Sequence, residues 1–346
     1  MTKKIVNSGK LVPGNVKNAR DVVGEFNYYC GLFFPQCSFS KKMHLACGAI
    51  KEYFVNGAWV NNYFQYGFYG KNPEERANFM TWRKAVKFIK KMNGTEAHPV
   101  LREKQLFNEA FSKFVKRDWI FMKNASEADF IKFCTKHKTF IEKPNDEQLG
   151  AGIFKRLINE NTDLTKMYHE YYGKSIVLEE NVLNCDTLSE LHPDSLNTLR
   201  VSTLLNKSKT KATLVAATLK MGAGGNAVDN AGAGGLSAAI NLDTGIVSHK
   251  AINYKGKRYE FHPDTNKAIT GLAIPAWQMV VDMCKEAALV YKDAPFIGWD
   301  VAISYNNDTE EYIVQIIEGN ENQAFPLIQM SSGEGLVKKI NEINSI

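Results

Sequence analysis

The sequence predicts an α+β fold, and three observations support that expectation. Residues 15–98 place apolar side chains at helical spacing, as in Met43–Val55 and Asn78–Met92. From Leu101 short β-like runs alternate with short helices. After Asn197 strands dominate, up to a closing hairpin. Such a mixture of strands and short helices is an α+β arrangement.

The helical region is broken at Gly70-Lys71-Asn72-Pro73 and at Asn93-Gly94. It is rich in aromatics, among them Tyr28, Tyr29, Phe33, Phe34, Tyr53, Phe54, Tyr63, Phe64, Tyr66, Phe68 and Tyr69. Packing helices onto a core is the ordinary use of such residues; stacking a sugar or base is the alternative. The pattern then predicts helix Arg102–Phe114, strand Trp119–Met122, helix Glu127–Lys136 and strand Thr139–Ile141. A glycine-containing turn follows, then helices Ile153–Asn159 and Leu164–Tyr172 and strand Ser175–Glu179. Strands are expected at Thr198–Leu204, Ala212–Lys220 and Leu236–Asn241, a hairpin turn at Asp243-Thr244-Gly245, and a helix at Ala276–Val290.

At 346 residues, 44% hydrophobic and 23% charged, the chain has room for two or three subdomains of ordinary globular material. No run of eighteen apolar residues offers a transmembrane helix, and the first ten residues lack an apolar signal core, so the expected location is cytoplasmic. Cys30, Cys37 and Cys47 with His44 fit no usual zinc spacing, and reduced thiols are expected for all six cysteines. Charge is uneven: residues 1–143 hold 25 Lys/Arg against 12 Asp/Glu, whereas the remainder holds 18 against 25. A basic first half implies a polyanionic ligand or surface, such as nucleotide phosphates, a nucleotide sugar or anionic lipid. No nucleic-acid-binding signature accompanies it.

The densest oxygen constellation comes late, in Gly298-Trp299-Asp300-Val301-Ala302-Ile303 and in Glu318-Gly319-Asn320. The intervening residues read as a hairpin turning at Asn306-Asn307-Asp308-Thr309. A register pairing Tyr305 with Glu311 sets Asp300 opposite Ile316, and alternation brings Glu318 and Asn320 onto the face of Asp300. Three hard oxygen donors at one hairpin end suit Mg²⁺ when phosphates supply the other ligands. Solvated strand ends are the competing reading.

Further upstream, Lys143-Pro144 leads to Gly150-Ala151-Gly152, where glycines let backbone approach a phosphate and the lysine adds a point charge. This is no Walker loop, because no Gly-Lys-Ser/Thr closes it. The apolar strand Ile176–Leu178 runs into Glu179-Glu180-Asn181-Val182, a connector able to offer backbone groups to an adenine edge. Arg200 shares a strand face with Ser202 and suits phosphate or carboxylate. Six glycines between Met221 and Gly235 surround Asp229 and Asn230, in a segment that either covers a site or is a plain loop. His262-Pro263-Asp264-Thr265 makes His262 a turn residue with a possible second use at substrate.

The order of these pieces resembles the ATP-grasp superfamily and, more closely, the sugar-transfer-associated ATP-grasp family, found with surface-polysaccharide genes. The likeness lies in Glu142-Lys143-Pro144 with Gly150-Ala151-Gly152 and in Leu191-His192-Pro193-Asp194-Ser195-Leu196-Asn197-Thr198-Leu199-Arg200. It continues in Val228-Asp229-Asn230 with Gly234-Gly235, in His262-Pro263-Asp264-Thr265 and in Trp299-Asp300-Val301-Ala302. Residues 100–330 carry it well, and the first hundred more loosely through Tyr66-Gly67-Phe68-Tyr69.

This resemblance implies an ATP-grasp fold, in which two α+β lobes clamp ATP between antiparallel sheets. A helical N-terminal region would span residues 1–100, a small lobe 101–183 and a large lobe with the metal site 184–346. Carried over by position, Lys104 and Lys143 would hold the α- and β-phosphates, with the Gly150–Gly152 loop folding over them. Glu179, Glu180 and Val182 would line the adenine, mostly through backbone groups. Asp300, Glu318 and Asn320 would carry Mg²⁺, and Arg200 would face the γ-phosphate or an acyl phosphate. Asn184-Cys185 stands where relatives often have Gln-His, which bears on the ribose contact expected of Asn184.

The implied activity is a carboxylate–amine ligase acting through an acyl phosphate, with His262 and Asp229 as candidate bases. Its partners would be small carboxylates and amines, a sugar or nucleotide sugar among them, without nucleic acid but with room for peripheral membrane contact. A phosphotransferase of the same fold, or a non-catalytic nucleotide- or glycan-binding module, are the alternatives.

Overall fold

The computed structural model describes residues 3–4, 19–147, 152–224 and 234–345. Gly150 and Asp229 lie outside the described residues. The chain opens with β1 (Lys3–Lys4), then α1 (Ala19–Phe33), α2 (Phe39–Asn56), α3 (Val60–Gln65), α4 (Pro73–Asn78), α5 (Trp82–Asn93), α6 (Pro99–Arg102) and α7 (Lys104–Ala110). Next come β2 (Trp119–Phe121), α8 (Glu127–Lys136), β3 (Thr139–Pro144), β4 (Phe154–Leu157), α9 (Leu164–Tyr171), β5 (Ile176–Glu180) and α10 (Asp186–Ser189). The last part holds β6 (Thr198–Leu205), β7 (Ala212–Met221), β8 (Leu236–Ala239), β9 (Ala251–Asn253), β10 (Arg258–Tyr259), α11 (Trp277–Val290), β11 (Phe296–Asn306), β12 (Glu311–Asn320), α12 (Phe325–Ser332) and α13 (Val337–Ser345).

Two antiparallel sheets organise these elements. One has the order β1-β4-β3-β5-β2, the other β10-β9-β8-β7-β6-β11-β12. Helices α8 and α9 cover the smaller sheet around Phe130, Phe140, Tyr168 and Leu178. The larger sheet buries Leu199, Val201, Leu219 and Val301 against Val280, Cys284 and Ala287 of α11 and Phe107 of α7. The aromatics of the first hundred residues do pack as a core: Tyr29, Tyr63, Phe64, Phe68 and Phe79 cluster, joined by Ile252 and Met330.

Local chemistry explains several boundaries. Ser38 caps α2 by accepting from the Lys41 N–H at 3.3 Å, and Gly57 closes the helix at φ 64°. Asn72 and Glu75 form a capping box on α4 with Pro73 in its first turn. The single helix expected at Asn78–Met92 is instead interrupted before Trp82. Gln329 of α12 accepts from the Met80 N–H at 2.8 Å and donates to its carbonyl at 3.1 Å, so a tertiary clamp replaces helical hydrogen bonds there.

The helix expected at Ile153–Asn159 is a strand, and this is a correction. Phe154-Lys155-Arg156-Leu157 alternates half-buried with exposed, and it pairs antiparallel with Thr139–Glu142. Arg156 also meets Glu142 across the ladder at 2.5 Å.

The closing hairpin forms with a different register. Tyr305 pairs with Tyr312 and Asn306 with Glu311, one residue away from expectation. A β-bulge then leaves Ile317 unpaired, so Val301 faces Ile316 while Asp300 faces Glu318 directly. Without the bulge Asp300 would oppose Ile317, and Glu318 would turn to the other face.

Candidate active site

The bulge assembles a row of side chains across four strands. Glu318 pairs with Asp300, Asp300 with Arg200, and Arg200 with Thr218. Asp300 is buried and accepts two hydrogen bonds from the Arg200 guanidinium, one from Nε to Oδ1 and one from Nη2 to Oδ2 at 3.0 Å. Lys220 Nζ adds a third at 3.2 Å. Burial pushes the Asp300 carboxyl up, but the adjoining Arg200 and Lys220 charges hold it well below the usual carboxylate range.

Glu318 experiences the opposite balance. The residue is exposed, yet crowding by surrounding protein and the neighbouring Asp300 carboxylate together raise its pKa above the ordinary value. Asn320 donates to Glu318 Oε1 at 3.2 Å and to the Gly298 carbonyl at 3.4 Å, which fixes its amide beside the pair. Two facing carboxylates and an amide oxygen form a hard donor set, with the raised Glu318 marking repulsion that a cation would relieve.

The smaller sheet carries a second cluster. Glu179 is buried on β5 and meets Arg117 Nε at 2.9 Å and Lys143 Nζ at 2.5 Å. Asn108 completes it at 3.1 Å. Burial raises the Glu179 carboxyl, but Arg117 and Lys143 together hold it far below the carboxylate range. Lys104 lies close enough that burial and the Lys143 charge lower its pKa, while Glu318, Glu179 and Asp146 act in the other direction. The Lys104 ammonium thus lies in the field of both clusters. Buried Asn145 fixes this lysine: its carbonyl accepts from the Lys104 N–H at 3.0 Å and its side chain from the Gln105 N–H at 2.9 Å.

Arg117 ties the clusters together. Its guanidinium donates to the Ile316 carbonyl at 2.8 Å and to the Ile317 carbonyl at 3.0 Å, the residues flanking and forming the bulge. One buried arginine therefore holds both the Lys143 partner and the backbone kink that turns Glu318 toward Asp300.

Other residues singled out in the sequence are used differently. Glu179 was expected to meet adenine mainly through its backbone. That backbone sits in the ladder between Trp119 and Ile141, and its carboxylate is the ion-pair hub just described. Glu180 accepts from the Asp118 N–H at 3.0 Å, and Val182 follows in the non-helical link to α10. The Asn184 side chain brackets the Asn197 backbone at 2.7 and 2.8 Å, so its amide is committed within the link. Gly152 turns with φ 70° against Pro144.

His262 as a base is not supported by its surroundings. It is buried, its Nε2 bonds the Gly222 carbonyl at 2.8 Å and its Nδ1 accepts from the Asp264 N–H at 3.3 Å. Both ring nitrogens hold backbone. With Asp264, which accepts from the Gly224 N–H at 2.7 Å, it pins the start of the glycine-rich segment. A further grouping of Asp118, His137 and Glu180 has ligand atoms within 4.8 Å of one another. Asp118 Oδ2 is already met by Lys136 at 2.5 Å and His137 at 2.7 Å, an ion-pair arrangement.

Sequence reasoning missed Arg117, Lys220, Asn108 and Asn145. Lys220 had a readable sign, a lysine within a strand whose Leu214, Val215, Ala217 and Leu219 are apolar. Arg117 had none, since it stands between Lys116 and Asp118 in a polar stretch.

Residues 83–345 match the model of the sugar-transfer associated ATP-grasp family. The chain belongs to that family. It is accordingly a member of the ATP-grasp superfamily. No curated protein matches it in sequence. Among solved structures it is similar to the ATP-grasp ligase PsnB complexed with minimal precursor, at 13% identity and TM-score 0.43 over 72% of this chain and 62% of that one. It is also similar to a biotin carboxylase from Campylobacter jejuni, at 10% identity and TM-score 0.41 over 70% of this chain and 46% of that one. A D-alanine-D-alanine ligase from Coxiella burnetii is similar at 10% identity and TM-score 0.35, over 70% and 59%. The ATP-grasp chain thus spans less than two thirds of the length of each of these three.

Proposed function

We propose that this enzyme is an ATP-dependent carboxylate–amine ligase working through an acyl phosphate, in the cytoplasm, on a surface polysaccharide or a related glycan or metabolite. One observation supports the reading most: Glu318, Asp300 and Arg200 stand in register on neighbouring strands, with Lys220 on the same carboxylate.

A substrate carboxylate oxygen would attack the γ-phosphorus of ATP, releasing ADP. An amine would then add to the acyl carbon and phosphate would leave, forming the amide. Positioning and charge neutralisation provide most of the rate in such transfers. Lys104 and Lys143 would bind the α- and β-phosphates, with Gly150 and Gly152 closing over them. Arg200 and Lys220 would face the transferring phosphoryl group. Glu180 and Val182 flank the link assigned to adenine, and Asn184 the ribose end. Asp300, Glu318 and Asn320 fit Mg²⁺, which when bound would screen the phosphate oxygens. With His262 committed to backbone, Asp229 is the remaining sequence candidate for the amine proton.

The test is phosphate release by the purified chain with ATP, Mg²⁺ and a panel of uronic acids and amines. The reading expects ADP and phosphate in step with an amide product. Asp300→Asn with Glu318→Gln should lower the rate by about 10³-fold or more. Undiminished activity in that double variant would remove the metal role, and a stable phosphorylated product formed without amine would make the enzyme a phosphotransferase.

A further inference from the structure

Among the described residues, helix α2 leaves an apolar stripe uncovered. Phe39, Met43, Ile50 and Phe54 are 80%, 50%, 60% and 72% exposed, and Cys47 is exposed with them. At about 100° per residue these five positions fall within roughly 80° of arc. The buried residues of the helix, Leu45, Ala49, Glu52 and Asn56, occupy the opposite side. There Leu45 and Ala49 join the aromatic core, and Glu52 pairs with Arg76 at 3.1 Å. Packing of the fold is therefore satisfied by one side of α2, and the stripe is additional. Single exposed apolar residues are ordinary, but a contiguous row of them along about four turns marks a docking face.

The surrounding charge indicates what docks there. Lys42 and Lys51 stand about a quarter-turn to either side of the stripe, with His44 near Lys51. The only acidic residue in α2 is Glu52, which is buried and paired. A second copy seated through the same face would set lysine against lysine. An anionic surface instead complements them, because lysine stems can lie along apolar side chains while the ammonium groups stay at headgroup level.

We propose that α2 seats this enzyme on an anionic phospholipid bilayer. Phe39, Met43, Ile50 and Phe54 enter the boundary of the acyl chains, and Lys42 and Lys51 meet the lipid phosphates. Such a contact is reversible.

Cosedimentation of the full chain with phosphatidylcholine vesicles, with and without phosphatidylglycerol, tests this. Binding is expected on the mixed vesicles, weakened about tenfold or more by Lys42→Gln with Lys51→Gln. Phe39→Ser with Phe54→Ser should weaken it at least as much. Phe39, Lys51 and Phe54 are exposed and Lys42 is half-buried, so both double variants should melt close to the wild-type temperature. Absence of wild-type binding to the mixed vesicles, or equal binding by the Phe39→Ser, Phe54→Ser variant, overturns the proposal. So does a wild-type dimer in sedimentation velocity that this variant converts to monomer, which would assign the face to a second copy.

Discussion

Glu179 in the small sheet and Asp300 in the large sheet are held in the same manner. Each is buried on an interior strand, each meets one arginine and one lysine, and each is drawn below the ordinary carboxylate range by those cations against the effect of burial. Their remaining neighbours differ. Glu179 is completed by the neutral Asn108 amide, with Lys104 nearby, so cations outnumber carboxylates. Asp300 is completed by a second carboxylate, Glu318, whose own pKa is raised. On the proposed function, one cluster would meet an anion and the other a cation. A metal–triphosphate complex offers both.

The largest expected effect comes from Arg117→Met. It leaves Glu179 half-paired in a buried site and frees the carbonyls of the bulge. A loss of about 3–5 kcal/mol is expected in denaturant unfolding, and added Mg²⁺ should not restore it. A loss below about 1 kcal/mol would show that the hub is not a structural tie. Arg200→Met should cost less, roughly 2–3 kcal/mol, because Lys220 remains on Asp300. Here Mg²⁺ should recover part of the loss, since a bound cation replaces the missing charge. If Mg²⁺ treats the two variants alike, the contrast between the clusters fails.

Glu318→Gln gives the smallest effect, with the opposite sign. Because the folded-state pKa of Glu318 is raised, the wild type loses stability as pH rises from the ordinary glutamate range up through that raised value, where Glu318 ionises beside Asp300. The glutamine variant should therefore be the more stable protein at neutral pH in the absence of metal. Solvent exposure limits the gain to no more than about 1 kcal/mol, and it should vanish only once pH falls below the ordinary glutamate range.

Much of this contrast was legible beforehand. Period-two alternation located β6, β7, β11 and β12, and residue order placed Arg200, Asp300, Glu318 and Asn320 on strands that the structure makes neighbours. The expected hairpin register was nonetheless one residue out, and only the bulge at Ile317 restores Glu318 to the face of Asp300. A bulge held by a guanidinium from a distant loop leaves no local trace, which is also why Arg117 went unnoticed. The β4 error has a similar origin: residues 154–157 are a strand because β3 pairs with them, and four residues show too little of either period. The break before α5 depends on Gln329, far along the chain.

On the proposed function, Asp300 and Glu318 repel one another until a divalent cation joins them. Thermal melting of the wild type and of Glu318→Gln, each titrated with Mg²⁺ in the presence of a non-hydrolysable ATP analogue, tests it most directly. The account predicts that the variant melts higher without metal and that only the wild type gains markedly from Mg²⁺. A variant that melts lower without metal, or that gains as much as the wild type, would contradict it.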